Sequence, residues 1–520
     1  MSTAYDIEAD ETALFDEVDA QYRMIKEMVS SSELASMSHD LVECRLESEG
    51  RELVRRLYQA HLTLRGQEEV VTEPVVGADG IMRRRARPRE RRVVSIFGPV
   101  ELSRTGYGHA GAESLFPVDS DLNLPSESYS LEVRRRAADY AAQTSFDETT
   151  RVLRQTTGTT SAKRQVEELT TRAASDFEAF YEQRRLAPSA AETSEILVVS
   201  IDMKGVVVRH EELREKAREA AKKKPKLDTR RTVADRRNRK RMSAVAAVYT
   251  IAPWVRSAEQ VIAGLRGLQE LDKGLSPRPK PEFKRIWASV ANKSETVVDQ
   301  AFQEALGRDR ERKKRWVVLV DGDRKQLYWL RSAAKRYRVK LTIILDIIHV
   351  IEYLWMAAHA FHGDGTKEAE EYVAQRLLMV LEGKAGWVAG AMRRSARSQE
   401  LPPLRRKRVE KCANYLKKYS MYLRYDRALQ AGLPIGTGVI EGACRYLVSD
   451  RLDITGARWS LRGAEAVLRL RALRGSGDFD EYWDFHRDQE YRRNHGSRYA
   501  AGHHPELRAP IRRGHLRLVQ

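Results

Sequence analysis

Three aspartates each follow directly on a run of apolar residues, and a glutamate stands just after a Gly-rich turn. The aspartates are Asp202 in SIDMKGV, Asp321 in VVLVDGD and Asp346 in LTIILD, and the glutamate is Glu441 in PIGTGVIEG. Any one aspartate alone is explained as the cap of a following helix. Open α/β sheets, however, place ligands at the carboxyl ends of their strands. As a set, Asp202, Asp321 and Glu441 predict ligands for two Mg²⁺ ions, about 3.5–4 Å apart, that promote in-line phosphoryl transfer. Mn²⁺ is expected to substitute for Mg²⁺.

The elements that must position these acids follow from the hydrophobic pattern between residues 195 and 350. EILVVSIDMKGVVVRH predicts a buried strand that ends at Asp202 and turns into a second strand, and MSAVAAVYTIAP predicts a third. Helices over 295–306 and 325–336 precede the strands RWVVLVD and LTIILD. The predicted order is strand, strand, strand, helix, strand, helix, strand. Residues 350–430 are rich in Ala, Leu, Glu, Lys and Arg, which predicts a wholly helical block.

The charge balance indicates a polyanionic partner. The 520 residues include 92 Lys and Arg against 74 Asp and Glu, which gives a formal charge of +18. Residues 1–80 hold 18 acids and 7 bases, a net charge of −11, so the remaining residues carry +29. The three cysteines form no C-x-x-C pair, which argues against a disulfide scaffold and cysteine zinc fingers. The longest apolar stretch, 341–361, contains Asp346, His349 and Glu352, which argues against a membrane span.

Three basic clusters and a helix pair are the predicted DNA contacts. The clusters lie at 83–92, 222–241 and 393–408, and the second holds 11 bases and 2 acids. A helix beginning near Ser145, a break at TGTT and a second helix capped by Ser161 predict a helix-turn-helix. Solvated loops and an ordinary helix pair give the same patterns. The predicted DNA-binding residues are Arg83, Arg84, Arg85, Lys163, Arg164, Lys222, Lys223, Lys224, Arg236, Arg237, Arg239, Lys240, Arg241 and Arg458.

One long segment resembles a known family. The run GLPIGTGVIEGACRYLVSDRLDITGARWSLRGAEAVLRLRAL, with SIDMKGV, VVLVDGD and LDIIHVIEYLW upstream, resembles the ISKra-type transposases of bacterial insertion sequences. These belong to the mutator-like branch of the DDE superfamily, which has a ribonuclease H-like catalytic core. The resemblance covers about residues 90–490. It implies a multidomain α/β protein whose mixed sheet core carries an all-helical insertion, and it makes Asp202, Asp321 and Glu441 the catalytic residues.

The resemblance also implies accessory residues near the cut strand. Members of the mutator-like branch have a further motif after the second aspartate, in which an acid is followed, after two other residues, by a histidine. Asp346 and His349 match that motif. Taken alone, His349 is also explained as a buried histidine satisfied by Asp346. Arg445 lies four residues after Glu441, where it would hold a phosphate or, alternatively, pair with that glutamate.

Three further positions bear on the resemblance to this family. Met203 follows the first aspartate, where the family often has glycine. Asp323 is a rival to Asp321, but its natural role beyond Gly322 is to cap a helix. Trp459 is expected in the core, because an apolar helical face continues after it.

The implied function is DNA transposition. The chain would bind the terminal inverted repeats of its element and catalyse Mg²⁺-dependent cleavage and strand transfer on double-stranded DNA. We expect a homodimer or higher homo-oligomer on DNA, in the bacterial cytoplasm with the nucleoid and without a membrane, since the acidic start lacks signal-peptide features. Two alternatives use the same features: a metal-dependent nuclease or resolvase without strand transfer, and a domesticated DNA-binding regulator without enzymatic activity.

Six regions are predicted along the chain. They are an acidic helical region (1–80), an Arg-rich hairpin with the helix-turn-helix (81–190), the first part of the ribonuclease H-like core (191–350), the helical insertion (351–434), the last core helix with Glu441 (435–475) and a basic tail (476–520). For the first region, dimerisation, inhibition by covering basic surface, and a solvated helical pair all remain open.

Overall fold

The computed structural model describes residues 4–71, 74–158, 160–186, 193–222, 240–267, 277–454 and 456–508, and of residues 4–13 and 221–222 the backbone alone. The chain divides into two compact units. Unit 1 comprises Met1–Asp176 with Asp480–Gln520, and unit 2 comprises Phe177–Phe479. The segment predicted as a basic tail therefore contributes to unit 1, with a helix of its own. None of the described helices combines the length and the apolar character needed to cross a bilayer.

Unit 1 combines helices with small antiparallel sheets. Its helices are α1 (Ala4–Val29), α2 (Ser32–Ala35), α3 (His39–Gly66), α4 (Pro117–Asp121), α5 (Leu131–Gln143), α6 (Phe146–Thr157), α7 (Lys163–Ala173) and α21 (Phe479–Asn494). Its strands are β1 (Glu69–Val70), β2 (Val75–Val76), β3 (Met82–Arg83), β4 (Arg85–Ser95), β5 (Gly98–His109), β6 (Ala112–Leu115) and β12 (Leu507–Arg508). Strands β4, β5 and β6 form one sheet, while β1 pairs with β12 and β2 with β3.

The predicted hairpin and helix pair are both present in unit 1. Strands β4 and β5 pair from Arg85 to Ser95, so the arginine run lies on a strand and not in a loop. Helices α5, α6 and α7 share one apolar core, and Gly158 ends α6 with a φ of 66°, which glycine adopts without strain. Ser145 caps α6 as predicted. The cap of α7 is Ala162 and not Ser161, because Gln165 satisfies the Ala162 N–H from inside the helix.

Unit 2 is built on a five-stranded mixed sheet. Its strands are β7 (Ile196–Val207), β8 (Lys240–Ile251), β9 (Glu282–Ser289), β10 (Arg315–Val320) and β11 (Leu341–Leu345). The spatial order is β11-β10-β7-β8-β9. Strands β11, β10 and β7 are parallel, and β8 is antiparallel to both of its neighbours. The central strands are continuously apolar because helices cover both faces, and Leu197, Val317 and Leu319 are fully buried.

Five strands were predicted and five are present, but one predicted strand is absent and one observed strand was not predicted. Helices at Glu215–Lys222 and Ala258–Arg266 separate the first three strands, which the predicted order did not include. The run after Asp202 does not turn into a second strand, because β7 continues to Val207 while pairing with β8 along its whole length. Asp202 therefore lies within a strand and not at its end. The third strand is β9, which begins with the charged residues EFKR and was not predicted.

The helices of unit 2 cover the sheet and fill the predicted helical block. They are α8 (Phe177–Leu186), α9 (Glu215–Lys222), α10 (Ala258–Arg266), α11 (Ser294–Arg308), α12 (Arg324–Tyr337), α13 (Ile347–Phe361), α14 (Lys367–Leu381), α15 (Ala385–Ser398), α16 (Pro403–Lys418), α17 (Tyr425–Gln430), α18 (Gly438–Ala443), α19 (Asp450–Leu452) and α20 (Leu461–Ser476). Residues 347–430 contain no strand, as predicted for the helical block.

Candidate active site

Strand register brings the three aspartates to one edge of the sheet. Ser200 on β7 pairs with Leu319 on β10, and each of these residues stands two positions before an aspartate, Asp202 or Asp321. Leu345 on β11 pairs with Val320, so Asp346 follows beside Asp321. Adjacent strands lie about 4.8 Å apart, which makes the three aspartates neighbours in one row.

Asp202 is fixed by its own strand and by the helix that carries Glu441. Its Oδ1 accepts a hydrogen bond from the Met203 N–H (2.6 Å), and its Oδ2 accepts one from the Cys444 thiol (3.1 Å). Burial raises the pKa of Cys444, and the negative charge of Asp202 adds to the rise. The thiol therefore stays protonated and acts as a donor that orients the carboxylate.

Asp321 lies in a tight turn after β10. Its Oδ1 accepts a hydrogen bond from the Asp323 N–H (2.9 Å), and Gly322 between them has a φ of 96°. Burial raises the pKa of Asp321, the charge of Asp202 adds to the rise, and the Asp323 N–H partly offsets it. A bound cation would offset this rise, because positive charge favours the ionised carboxylate.

The rival acid Asp323 has a structural role. Its side chain accepts hydrogen bonds from the backbone N–H groups of Lys325 (2.8 Å) and Gln326 (2.9 Å), so it caps helix α12 as expected for this position.

Helix α16 of the helical block closes over the turn at Asp321. The Tyr415 hydroxyl donates to the Asp321 carbonyl (3.2 Å) and the Tyr419 hydroxyl donates to the Gly322 carbonyl (2.5 Å). The helical block is thus bonded to the backbone of the acid-bearing turn.

Asp346 connects the sheet to Glu441. It is fully buried and accepts hydrogen bonds from the Thr437 N–H (3.0 Å) and the Thr437 hydroxyl (2.6 Å). The same hydroxyl lies 3.2 Å from Glu441 Oε1. Because Thr437 precedes α18, these contacts fix the start of the helix on which Glu441 is exposed.

The helix of Glu441 is irregular, which the sequence did not predict. After α18 the chain forms a π-helical segment, Cys444–Ser449, before α19. Such segments are rare and occur often at functional sites. Here it begins at Cys444, the residue that contacts Asp202.

Three further predicted side chains have partners that define their surroundings. His349 is half-exposed and lies 3.0 Å from Glu352. Burial opposes its charged form, but Glu352 and the charges of Asp346 and Asp321 outweigh burial and raise the pKa of His349. Arg445 is 81% exposed and pairs with Asp450 (3.6 Å), not with Glu441. Trp459 lies in the core as predicted.

Lys204 is a site residue that sequence reasoning missed. It follows Asp202 by two positions on β7, so both side chains leave the same face of the strand. Its positive charge acts on Cys444, and it has no ion-pair partner among the residues that the structure describes. The period of two in a strand was the signal for it.

The residues present suit divalent cations. Within the described ranges, none of Asp202, Asp321 and Glu441 pairs with a lysine or arginine, and all three offer carboxylate oxygens, which Mg²⁺ prefers. Their ligand oxygens do not all lie within 4.8 Å of one another, so the three acids are not gathered around a single ion position in this structure.

The described residues contain one group that does meet this distance, and it lies in unit 1. Asp176, His486 and Glu490 are buried together. His486 Nδ1 lies 2.6 Å from Asp176, and its Nε2 lies 3.0 Å from an Arg134 nitrogen, which can only donate. The imidazole thus lies between the Asp176 carboxylate and the Arg134 guanidinium.

Arginines already neutralise both acids of this group. Arg134 pairs with Glu490 (2.8 Å) and Glu127 (2.5 Å), and Arg493 pairs with Asp176 (2.5 Å) and Glu490. A metal ion would have to displace a guanidinium, so we assign the group as an ion-pair network that joins α5 to α21.

The predicted DNA contacts fall into several groups. Arg84, Arg85 and Arg458 are exposed and have no ion-pair partner among the described residues. Lys163 and Arg164 are exposed but pair with Asp147 (2.6 Å) and Glu168 (3.2 Å). Lys223, Lys224, Arg236, Arg237 and Arg239 lie outside the described residues, and so does the side chain of Lys222.

Three of the predicted contacts have side chains that are engaged by other groups of the fold. Arg83 is 2% exposed and donates to Asp79 and to the backbone carbonyls of Ile81 and Glu113. Lys240 pairs with Asp453 (2.8 Å). Arg241 donates to three backbone carbonyls, at Glu212, Val290 and Ala291.

Comparison with known proteins adds no relative. No protein-family model matches the chain, and no curated protein matches its sequence.

Proposed function

We propose that the chain is a DDE-type transposase that cuts and joins double-stranded DNA. The observation that supports this most is the placement of Asp202 on β7 and of Asp321 just after the adjacent parallel strand β10, with Glu441 tied to the same edge through Asp346 and Thr437. The meander β7-β8-β9, followed by a helix and β10, agrees with the order of a ribonuclease H-like core. The helical block between β11 and Glu441 agrees with the insertion of such enzymes.

Asp202, Asp321 and Glu441 would hold two Mg²⁺ ions, and Mn²⁺ would substitute. Bound there, the ions would supply a Lewis acid to the scissile phosphate and lower the pKa of an attacking hydroxyl. The chain's own groups prepare the site. Cys444 orients Asp202, and Thr437 sets the position of Glu441. Lys204 supplies positive charge on the face of Asp202.

Two tyrosines beside Asp321 are engaged in structural hydrogen bonds. Tyr415 and Tyr419 donate their hydroxyls to backbone carbonyls, and burial raises the pKa of Tyr415 far above its ordinary value. Direct attack by water and then by a freed 3′-hydroxyl requires no protein nucleophile, which agrees with the acid set.

The proposal includes DNA ends as partners and an oligomer on DNA in the bacterial cytoplasm. Exposed unpaired arginines are the groups that would contact phosphates, among them Arg84, Arg85 and Arg458.

The test is an assay of the purified full chain with Mg²⁺, a labelled duplex taken from the DNA that flanks its gene, and a target plasmid. The proposal expects cleavage at a defined position and a joined product. Cleavage that never yields joined DNA would replace transposition by a nuclease or resolvase function. Tight binding to the flanking DNA without any cleavage would favour a regulator.

A further inference from the structure

A second concave surface continues from the cleft beside Asp321. The cleft, about 590 Å³, lies between the aspartate turn and helix α16, and the neighbouring groove, about 520 Å³, lies between α12 and the end of α16. Lys418 and Tyr419 line both spaces, so the groove opens directly onto the cleft.

One face of helix α12 forms the floor of the groove. Arg324, Tyr328, Arg331 and Lys335 follow one another at steps of four, three and four residues, which places them on one face of the helix. At 1.5 Å per residue this row extends over about 16 Å. All four side chains are exposed, and none of the three cations has an ion-pair partner among the described residues.

The opposite wall comes from the helical block. Lys418 lies over the Tyr419 ring (4.3 Å), and Arg331 lies 5.4 Å from the Tyr422 ring across the groove. Met421 is 68% exposed at the rim. Four cations and no acid thus line the groove within the described part of the chain.

The cleft and the groove differ in charge. The cleft holds the acids Asp321, Asp323 and Glu352 together with Lys411, Lys418 and His349, whereas the groove holds cations and no acid among the described residues. A polyanion is therefore attracted to the groove and meets the acids only where the two spaces join.

Aromatic and apolar side chains among the cations identify the type of polyanion. Phosphate contacts alone need only lysine and arginine, but Tyr328 is 67% exposed in the row and Met421 faces the same space. Cations that follow a backbone, interleaved with exposed rings on which bases stack, are typical of single-stranded nucleic acid sites. A duplex keeps its bases stacked inside and would leave Tyr328 unused.

We propose that this groove binds a single-stranded segment of the DNA and leads it over Lys418 and Tyr419 to Asp321. The inference rests on the proposed function, to which it adds the path of the strand. Arg324, Arg331, Lys335 and Lys418 contact phosphates, and Tyr328 stacks on a base.

Binding of a labelled dT oligonucleotide to the full chain in EDTA tests the groove apart from any catalysis. The variant R324Q/R331Q/K335Q is compared with K325Q/R336Q/K340Q, which removes the same charge from exposed positions outside the groove. Each lost phosphate contact lowers the salt slope by about 0.7 for single strands, so the groove variant is expected to lose about 2 from the slope. The control is expected to bind within about two-fold of the wild type.

Two further measurements separate stacking and location. Y328A is expected to weaken binding by about 5- to 100-fold, while Y328F, which keeps the ring, binds as the wild type does. Photo-crosslinking of the wild type with 5-iododeoxyuridine is expected to label the tryptic peptide 326–331, which contains Tyr328.

The proposal is overturned if the groove and control variants bind alike, if Y328A equals Y328F, or if crosslinks map elsewhere. Preferential loss of duplex binding in the groove variant also overturns it. Cleavage of DNA by a chain whose groove binds nothing would leave the proposed function intact and refute this path. Groove binding in a chain that never cleaves DNA would refute the proposed function and leave the groove as a binding site for single-stranded DNA.

Discussion

Asp346 and Thr437, 91 residues apart, are joined by two hydrogen bonds, from the Thr437 N–H (3.0 Å) and from its hydroxyl (2.6 Å). The carboxylate is fully buried and has no ion-pair partner among the described residues. Asp346 therefore acts on Glu441 through Thr437, as a positioning residue for the helix that carries this acid.

Replacing Thr437 by valine is expected to lower DNA cleavage by about 10- to 100-fold, the range seen when a partner of a metal-ligating group is removed. Valine keeps the shape but not the hydroxyl, whereas T437S keeps the donor and is expected to stay near wild type. Cleavage rates as a function of Mg²⁺ concentration check this, because misplacement of Glu441 also raises the Mg²⁺ requirement. Equal rates for T437V and T437S would contradict the positioning role.

The three cysteines are expected to differ in reactivity. Cys44 is exposed, whereas Cys412 and Cys444 are buried. Burial raises the pKa of Cys412 to about 12 and that of Cys444 further still, and protonated thiols react slowly. A thiol titration of the native protein should show one fast group, and the denatured protein three. Fast labelling of the C44S variant would show that the buried thiols are open to solvent.

The titration of Glu304 makes the free energy of unfolding of unit 2 depend on pH in the acid range. Burial would raise its pKa, but the charges of Arg285 and Arg308 lower it from the ordinary 4.5 to about 2. The folded state therefore gains stability above pH 4.5 and loses it as the pH falls towards 2.

E304Q removes this titration and breaks a buried pair, which costs about 3–5 kcal/mol at pH 7. Urea unfolding between pH 2 and 7 measures both effects. The difference between wild type and E304Q should shrink as the pH falls, and parallel curves would rule out the lowered pKa.

The buried group of Asp176, His486 and Glu490 in unit 1 is expected not to bind metal ions. Because arginines neutralise Asp176 and Glu490, neither EDTA nor added Zn²⁺ should shift the temperature at which unit 1 unfolds. Hydrogen exchange of the backbone amides of α5 and α21 measures this unfolding. R134M, by contrast, leaves two buried carboxylates with fewer partners and should destabilise unit 1 by about 3–5 kcal/mol. Stabilisation by Zn²⁺ in the wild type would restore the group as a metal site.

The sequence predicted the elements whose patterns are local. Continuous apolar runs predicted β10 and β11. Turn residues and helical periodicity predicted the helix pair around Gly158. The acids at the sheet edge followed from these runs, because an aspartate after a buried strand is visible without any tertiary information.

The misses came from contacts that are distant in sequence. Strand β9 begins with EFKR and is held by its pairing with β8, so its local pattern is too polar to be recognised. Arg83 looked like its exposed neighbours in an arginine run, and its hydrogen bond to the Glu113 carbonyl, thirty residues later, is not visible in the local pattern. The groove on α12 was missed because four of its ten lining residues come from a segment more than eighty positions later.

The assignment of the three acids as metal ligands is tested by comparing D202N, D321N and E441Q with D323N in the cleavage and joining assay with Mg²⁺. Asparagine caps a helix as well as aspartate does, so D323N should keep activity within about ten-fold of the wild type. The other three each remove a charged ligand and should lose more than about 100-fold while remaining folded. Activity retained in D202N or D321N, or a loss in D323N as deep as in D321N, would contradict the account.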